Sequence, residues 1–145
     1  MDRFDIVSAL RTFATSKGWH FIYGSDEYAS TDWHEYLTDE IVMVCDIVPL
    51  PKFGTQGGAV QDVTYSGLIM LGRKFEATTT ASLDETMLQK HDRRLKDLWA
   101  LLSNNIGVMA CSNRLTIEVN NPANLINFYS QNIDFVKLDV VFTEA

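Results

Sequence analysis

The first apolar positions of the chain, Phe4, Val7, Leu10 and Ala14, recur at spacings of three and four, with Ile6 and Phe13 along the flank. That period predicts an amphipathic helix over residues 2–17, closed by Gly18. Residues 19–23 (WHFIY) are aromatic and β-branched and predict a strand. Residues 24–40 carry Trp33 and Tyr36 without a clear period and read as a loop. Two long strands are expected at 41–48 (IVMVCDIV) and 63–76 (VTYSGLIMLGRKFE). Pro49, Pro51, Gly54, Gly57 and Gly58 lie between them, so the pair reads as a hairpin with a long loop over 49–62. A second helix is expected from Ser82, which forms a capping-box pattern with Glu85. Its apolar stripe runs Leu88, Leu95, Leu98, Trp99 and Leu102, and Asn104 and Asn105 mark its end. Closing strands are expected at 114–119 and 133–143, with a turn at Asn120, Asn121 and Pro122. Residues 107–113 (GVMACSN) fit neither helix nor strand, and 125–129 carry no assignment.

The resulting order is α-β-β-β-α-β-β, with no internal repeat and no linker, which implies one α+β domain over residues 1–145. The sheet should be twisted and largely antiparallel, with both helices on one face. In 41–48 the odd positions Ile41, Met43, Cys45 and Ile47 are all apolar, and so are the even ones except Asp46. The same holds at Ile69, Met70 and Leu71 and at Val140, Val141 and Phe142, where neighbours point to opposite faces. Two helices about 10 Å wide blanket one face of such a sheet and not both. The second face must be covered by a curled remainder of the same sheet or by a neighbouring subunit.

Composition adds that the chain is of ordinary globular type, with 46% hydrophobic and 21% charged residues. No apolar run reaches the ~18 residues of a membrane span, and the amino terminus does not resemble a secretory signal, so residence in a cytoplasm is expected. The formal net charge of −7 argues against general affinity for nucleic acid. Asp26, Glu27, Asp32, Glu35, Asp39, Glu40 and Asp46 follow one another with no lysine or arginine among them, which predicts a strongly acidic face. Lys90, Arg93, Arg94 and Lys96 cluster instead on the second helix. Separated faces of opposite sign allow docking between copies, although two solvated faces account for the same pattern.

Catalytic chemistry is not signalled. The glycines between the two long strands lack phosphate-loop spacing and the following Lys-Ser or Lys-Thr. His20, His34 and His91 and the two cysteines, Cys45 and Cys111, fall at no spacing that aims two ligands at one ion, so no metal and no cofactor are expected. Both cysteines sit in apolar surroundings and are expected as buried thiols. His91 and Asp92 read as residues of a polar helix face, and Trp99 reads as core.

In its order and length the chain resembles the tail terminator and tail-completion proteins of tailed bacteriophages, and the related head-to-tail connectors. The resemblance lies in a leading amphipathic helix entering an aromatic strand, a long hairpin with an extended loop, a second capped helix and closing strands. It implies a non-enzymatic virion protein, made in the host cytoplasm, whose copies form a ring, hexameric in that family, at the tail end or neck. DNA passes through such rings without sequence-specific binding, and other tail or neck proteins stack on them. The loop residues Lys52, Phe53, Gly54, Thr55, Gln56, Gly57 and Gly58 would then meet the next ring or line the channel. The acidic residues Asp26, Glu27, Asp32, Glu35, Asp39 and Glu40 would repel DNA in the channel or lie on the outer surface. Residues 107–113 depart from the family outline. Two other readings stand beside this one: a small α+β enzyme or ligand-binding domain with a pocket between sheet and helices, using His20, His34 or the central acids, and a cytoplasmic adaptor subunit.

Overall fold

A computed structural model describes residues 3–24, 40–53, 60–75, 85–125 and 133–144. Helix α1 (Arg3–Ser16) leads into β1 (His20–Tyr23), followed by β2 (Ile41–Phe53), β3 (Val60–Lys74), helix α2 (Glu85–Ser112), β4 (Leu115–Leu125) and β5 (Ile133–Glu144). The strands form one sheet in the order β1-β2-β3-β5-β4. β1 runs parallel to β2, and the other three pairings are antiparallel. The expected α+β class and element order are therefore the observed ones. The central loop and the capping box at Ser82 lie outside the described residues.

Both helices pack on one face. Ile6, Leu10 and Ala14 of α1 and Leu95, Leu98, Leu102, Ile106 and Met109 of α2 meet Met43, Cys45, Ile47, Ile69, Leu71, Val136, Leu138, Val140 and Phe142 of the sheet in one core cluster. The α1 stripe is centred on Ile6, Leu10 and Ala14, at intervals of four. Phe4 was expected in that stripe but is 73% exposed. Two positions before Ile6 it is turned about 200° around the helix and points away from the sheet.

Helix α2 does not stop at Asn104 and Asn105. It runs two further turns, because Ile106, Met109 and Ala110 continue the buried stripe. Asn105 Nδ2 donates to the Leu101 carbonyl at 2.7 Å, so its side chain is satisfied on the helix itself. Residues 107–112, unassigned from sequence, are thus helical. The end comes at Asn113, whose N–H donates to the Met109 and Ala110 carbonyls, followed by Arg114 in the left-handed region at φ 54°.

The prolines of the hairpin do not end its first strand. The expected loop over 49–62 shrinks, since β2 continues through Pro49 and Pro51 to Phe53 and β3 begins at Val60. The reason lies in which way the backbone points. The N–H of Gly24 donates to the Cys45 carbonyl at 2.9 Å, so Cys45 faces the β1 side, and the Tyr23 hydroxyl donates to the Ile47 carbonyl at 2.9 Å from that same side. Strand alternation turns Pro49 and Pro51 likewise to the β1 side, where β1 has already ended. A missing N–H there breaks no ladder bond. The intervening Leu50 faces β3, and its carbonyl accepts from Thr64 Oγ1 at 3.2 Å. Asn120 to Pro122 are not a turn either. They form an irregularity inside β4, where the register against β5 shifts between Asn120 and Ala123, with Asn121 at φ 52° and its amide donating to Asp139 at 2.9 Å.

Two glycines let β3 pack closely. A Cβ on Gly72 would lie 2.3 Å from Cε1 of Phe135, whose ring covers the glycine, and a Cβ on Gly67 would lie 1.7 Å from the carbonyl oxygen of Asp46. The first obstacle is a side chain and the second is backbone. Gly72→Ala is accordingly expected to cost about 1–3 kcal/mol of stability and Gly67→Ala more, because β2 itself must move. Urea denaturation of the two variants checks the order, and equal losses would contradict it.

Candidate functional site

The second face of the sheet divides into two parts. On the half beside β1, Ile22, Val42, Val44, Met70, Ile133 and Phe135 form a separate buried cluster, with Leu68 and Leu125 packed against it. Farther along β2, toward the hairpin tip, the same face carries Asp46, then Val48 and Leu50, which are 49% and 56% exposed. Across the sheet, Val48 pairs with Ser66, and Ser66 pairs with the half-buried Val141. The hairpin end therefore presents apolar side chains on a surface that no described residue covers. Lys52 and Phe53, expected in the loop, belong to the end of β2. Gly54, Thr55, Gln56, Gly57 and Gly58 lie outside the described residues.

Of the expected acidic face, Glu40 and Asp46 are among the described residues. The Glu40 carboxylate lies 3.0 Å from His20 Nε2, and both side chains are part-exposed. Asp26, Glu27, Asp32, Glu35 and Asp39, and with them His34, lie outside the described residues. Asp46 is half-buried on the second face of β2.

His91 corrects the sequence reading. Its neighbour Asp92 is exposed, as a polar helix face requires, but His91 is only 5% exposed and turns inward toward Asp134, which is fully buried at the start of β5. His91 Nδ1 lies 2.5 Å from Asp134 Oδ2, and Arg94 Nε donates to the same oxygen at 3.0 Å. Arg94 Nη2 also lies 3.0 Å from His91 Nδ1. One nitrogen cannot both donate to the carboxylate and accept from the guanidinium. A proton on Nδ1 directed at Asp134 satisfies the carboxylate twice and leaves Arg94 held by its Nε bond. Phe75 closes the cluster, with its ring edge-on to His91 at 5.1 Å and under the Arg94 guanidinium at 4.4 Å. Arg73, opposite Asp134 in the β3–β5 register, reaches Asp97 of α2 at 3.8 Å. These groups bolt the first half of α2 to the sheet, while the second half is held by apolar contact.

Two cavities bear on ligand binding. Between the helices and the sheet lies a void of about 10 Å³ among Leu10, Phe13, Trp19, Met43 and Ile106. A wide-open groove of about 420 Å³ lies on the outside between α1 and the end of α2, bordered by Asp5, Ser8, Thr12, Val108 and Asn113. Neither brings together the histidines and acids considered from sequence. Among the described residues no group of three or more His, Cys, Asp or Glu is placed to hold a metal ion, and no helix is long and apolar enough to cross a membrane. Cys45 is a buried free thiol. Burial pushes its pKa from the ordinary 9.0 up to about 12, with Asp46 adding to the rise and Arg11 opposing it. The sequence matches no protein-family model and no curated protein.

Removing the acid of the buried cluster strands two donors. Asp134→Ala is expected to cost about 3–5 kcal/mol in urea denaturation, and replacing the whole set as His91→Leu, Arg94→Met and Asp134→Leu should recover most of that loss. Cys45 gives a pH signature. The unfolded chain forms thiolate above about pH 9, whereas the folded chain keeps the thiol until about 12, so the contribution of Cys45 is full below pH 9 and is lost between 9 and 12. Stability measured across that window should fall more steeply for the parent protein than for Cys45→Ala.

Proposed function

We propose that this protein is a non-enzymatic structural subunit whose copies close into a ring at the tail end or neck of a tailed bacteriophage, around the channel for DNA. The observation that carries the reading is the apolar hairpin end of the sheet, where Val48 and Leu50 stand half-exposed on the face opposite the helices. Exposed apolar surface beside polar Ser66 and Asp46 is the composition of a subunit contact. The element order α-β-β-β-α-β-β, from which the resemblance is drawn, supports the reading. In this reading the hairpin, with Lys52, Phe53 and residues 54–58 at its tip, reaches the neighbouring ring or the channel. The acidic segment carrying Asp26, Glu27, Asp32, Glu35, Asp39 and Glu40 keeps passing DNA from adhering. Its partners are further copies of itself, other tail or neck proteins, and DNA held without sequence preference.

Native mass spectrometry followed by negative-stain imaging tests the proposal. Closed species well above the 16.4 kDa of one chain are expected at high concentration or with tail or neck partners. The double variant Val48→Asp, Leu50→Asp should shift them toward monomer. A strictly monomeric protein under all these conditions would overturn the reading.

A further inference from the structure

The two borders of the sheet differ in their capacity to accept another strand. On the β1 side, β2 beyond residue 46 offers Pro49 and Pro51, which have no N–H, and an Ile47 carbonyl already taken by the Tyr23 hydroxyl. That stretch of the border cannot sustain a ladder, and β1, the edge strand beside it, is four residues long. β4 forms the opposite border, and among the described residues no backbone hydrogen bond reaches it from outside the sheet. Its second half is interrupted by the irregularity at 120–123 and by Pro122. Its first half, Leu115 to Val119, is regular, proline-free and rich in β-formers, with Thr116, Glu118 and Val119 exposed.

We infer that this segment pairs antiparallel with the same segment of a second copy of the chain, across a two-fold axis at Thr116. The side chains select that occupant and that register. Both strands must keep the same faces, so a residue can lie opposite only a residue of like parity. Centring the pair on Glu118 sets two carboxylates against each other, which is unfavourable. Centring it on Ile117 sets Glu118 against Thr116, with no charge partner. Centring it on Thr116 sets Thr116 against Thr116 and Leu115 against Ile117, and brings exposed Glu118 to the end of the partner strand, where exposed Arg114 stands in the turn just before β4, the last two contacts each occurring twice by symmetry. The strand pairs are then of a favourable type, and the charges at the two ends of the paired segment are complementary. Arg114 stands where α2 turns into β4, at φ 54°, so it is held at the end of the paired segment. The contact lies on the border opposite the hairpin and does not depend on ring formation.

Cysteine cross-linking tests the register in a Cys111→Ser background. Opposed Thr116 positions place their Cβ atoms about 5 Å apart, within reach of a disulfide after small adjustment. Two Glu118 positions in this register lie roughly 13 Å apart. Thr116→Cys should yield a covalent dimer on oxidation at high protein concentration, and Glu118→Cys should not. Charge reversal is the second arm. Arg114→Glu or Glu118→Arg alone should weaken dimerisation about tenfold in sedimentation, and the two together should restore it. All of these positions are exposed, so an unchanged far-UV spectrum and melting temperature are expected throughout. Absence of the Thr116→Cys dimer, equal cross-linking of Glu118→Cys, or single reversals with no effect would each overturn the inference. Because the β4 contact does not involve Val48 or Leu50, a protein that forms no rings at any concentration or with tail or neck partners, yet gives the Thr116→Cys cross-link, refutes the ring reading and not this one.

Discussion

The constraint on which the rest of the structure depends is that the middle strands are apolar on both faces while the helices cover one. Met43, Cys45 and Ile47 point to α1 and α2, and Val42 and Val44 point the other way. Each large apolar side chain taken out of water contributes about 1.5–3 kcal/mol, so neither face can be left bare without cost. The second face answers in two parts. Beside β1 its residues close into a cluster in which Val42 and Ile133 are fully buried. Beyond Asp46 the apolar Val48 and Leu50 stand half-exposed, with no described residue covering them. Asp46 and its neighbour in the row across the sheet, Asp139 beyond Leu68, mark where the buried region ends.

The sheet borders and the polar cluster follow from the same economy of hydrogen bonds. Prolines are admitted to β2 because β1 is short and, among the described residues, leaves that side of β2 beyond Cys45 without a strand partner. The Tyr23 hydroxyl takes up one carbonyl that β1 does not reach. At the other end of the helix layer, a carboxylate on a face otherwise reserved for Val136, Leu138, Val140 and Phe142 forces α2 to supply donors. His91 and Arg94 lie three residues apart on α2, and so point from the same side of the helix at Asp134. The cluster fixes where α2 begins to lie on the sheet, and the long apolar stripe from Leu95 to Ala110 carries it the rest of the way.

Much of this was legible along the chain. Period-three-and-four spacing located both helices, period-two and continuous apolar runs located the strands, and the double-sided runs exposed the covering problem. The errors share a cause. Pro49, Pro51, Asn104, Asn105, Asn121 and Pro122 are local stop signals, and each was overridden by a tertiary circumstance: an unpaired strand side, a continuing buried stripe, or an irregularity held by Asp139. The role of His91 was missed because its partner stands 43 residues away. A clue was present, since Asp134 falls at the even parity that the closing strand devotes to the core, and a carboxylate placed there requires a partner. The hairpin surface was foreseen only as an apolar second face, without the division at Asp46.

Sequence by itself determined the elements, their order and which runs must be buried, because periodicity is a property of neighbouring residues and survives without a fold. Tertiary structure alone decided where elements stop, which polar groups meet and which apolar residues remain in water. Those outcomes depend on what lies across the sheet or beneath the helix, and strand pairing brings together residues that no local pattern relates. The covering of the second face shows the division plainly: the need for it can be read from IVMVCDIV, but that it is met at Val42 and Val44 and left unmet at Val48 is set by where the other strands begin and end.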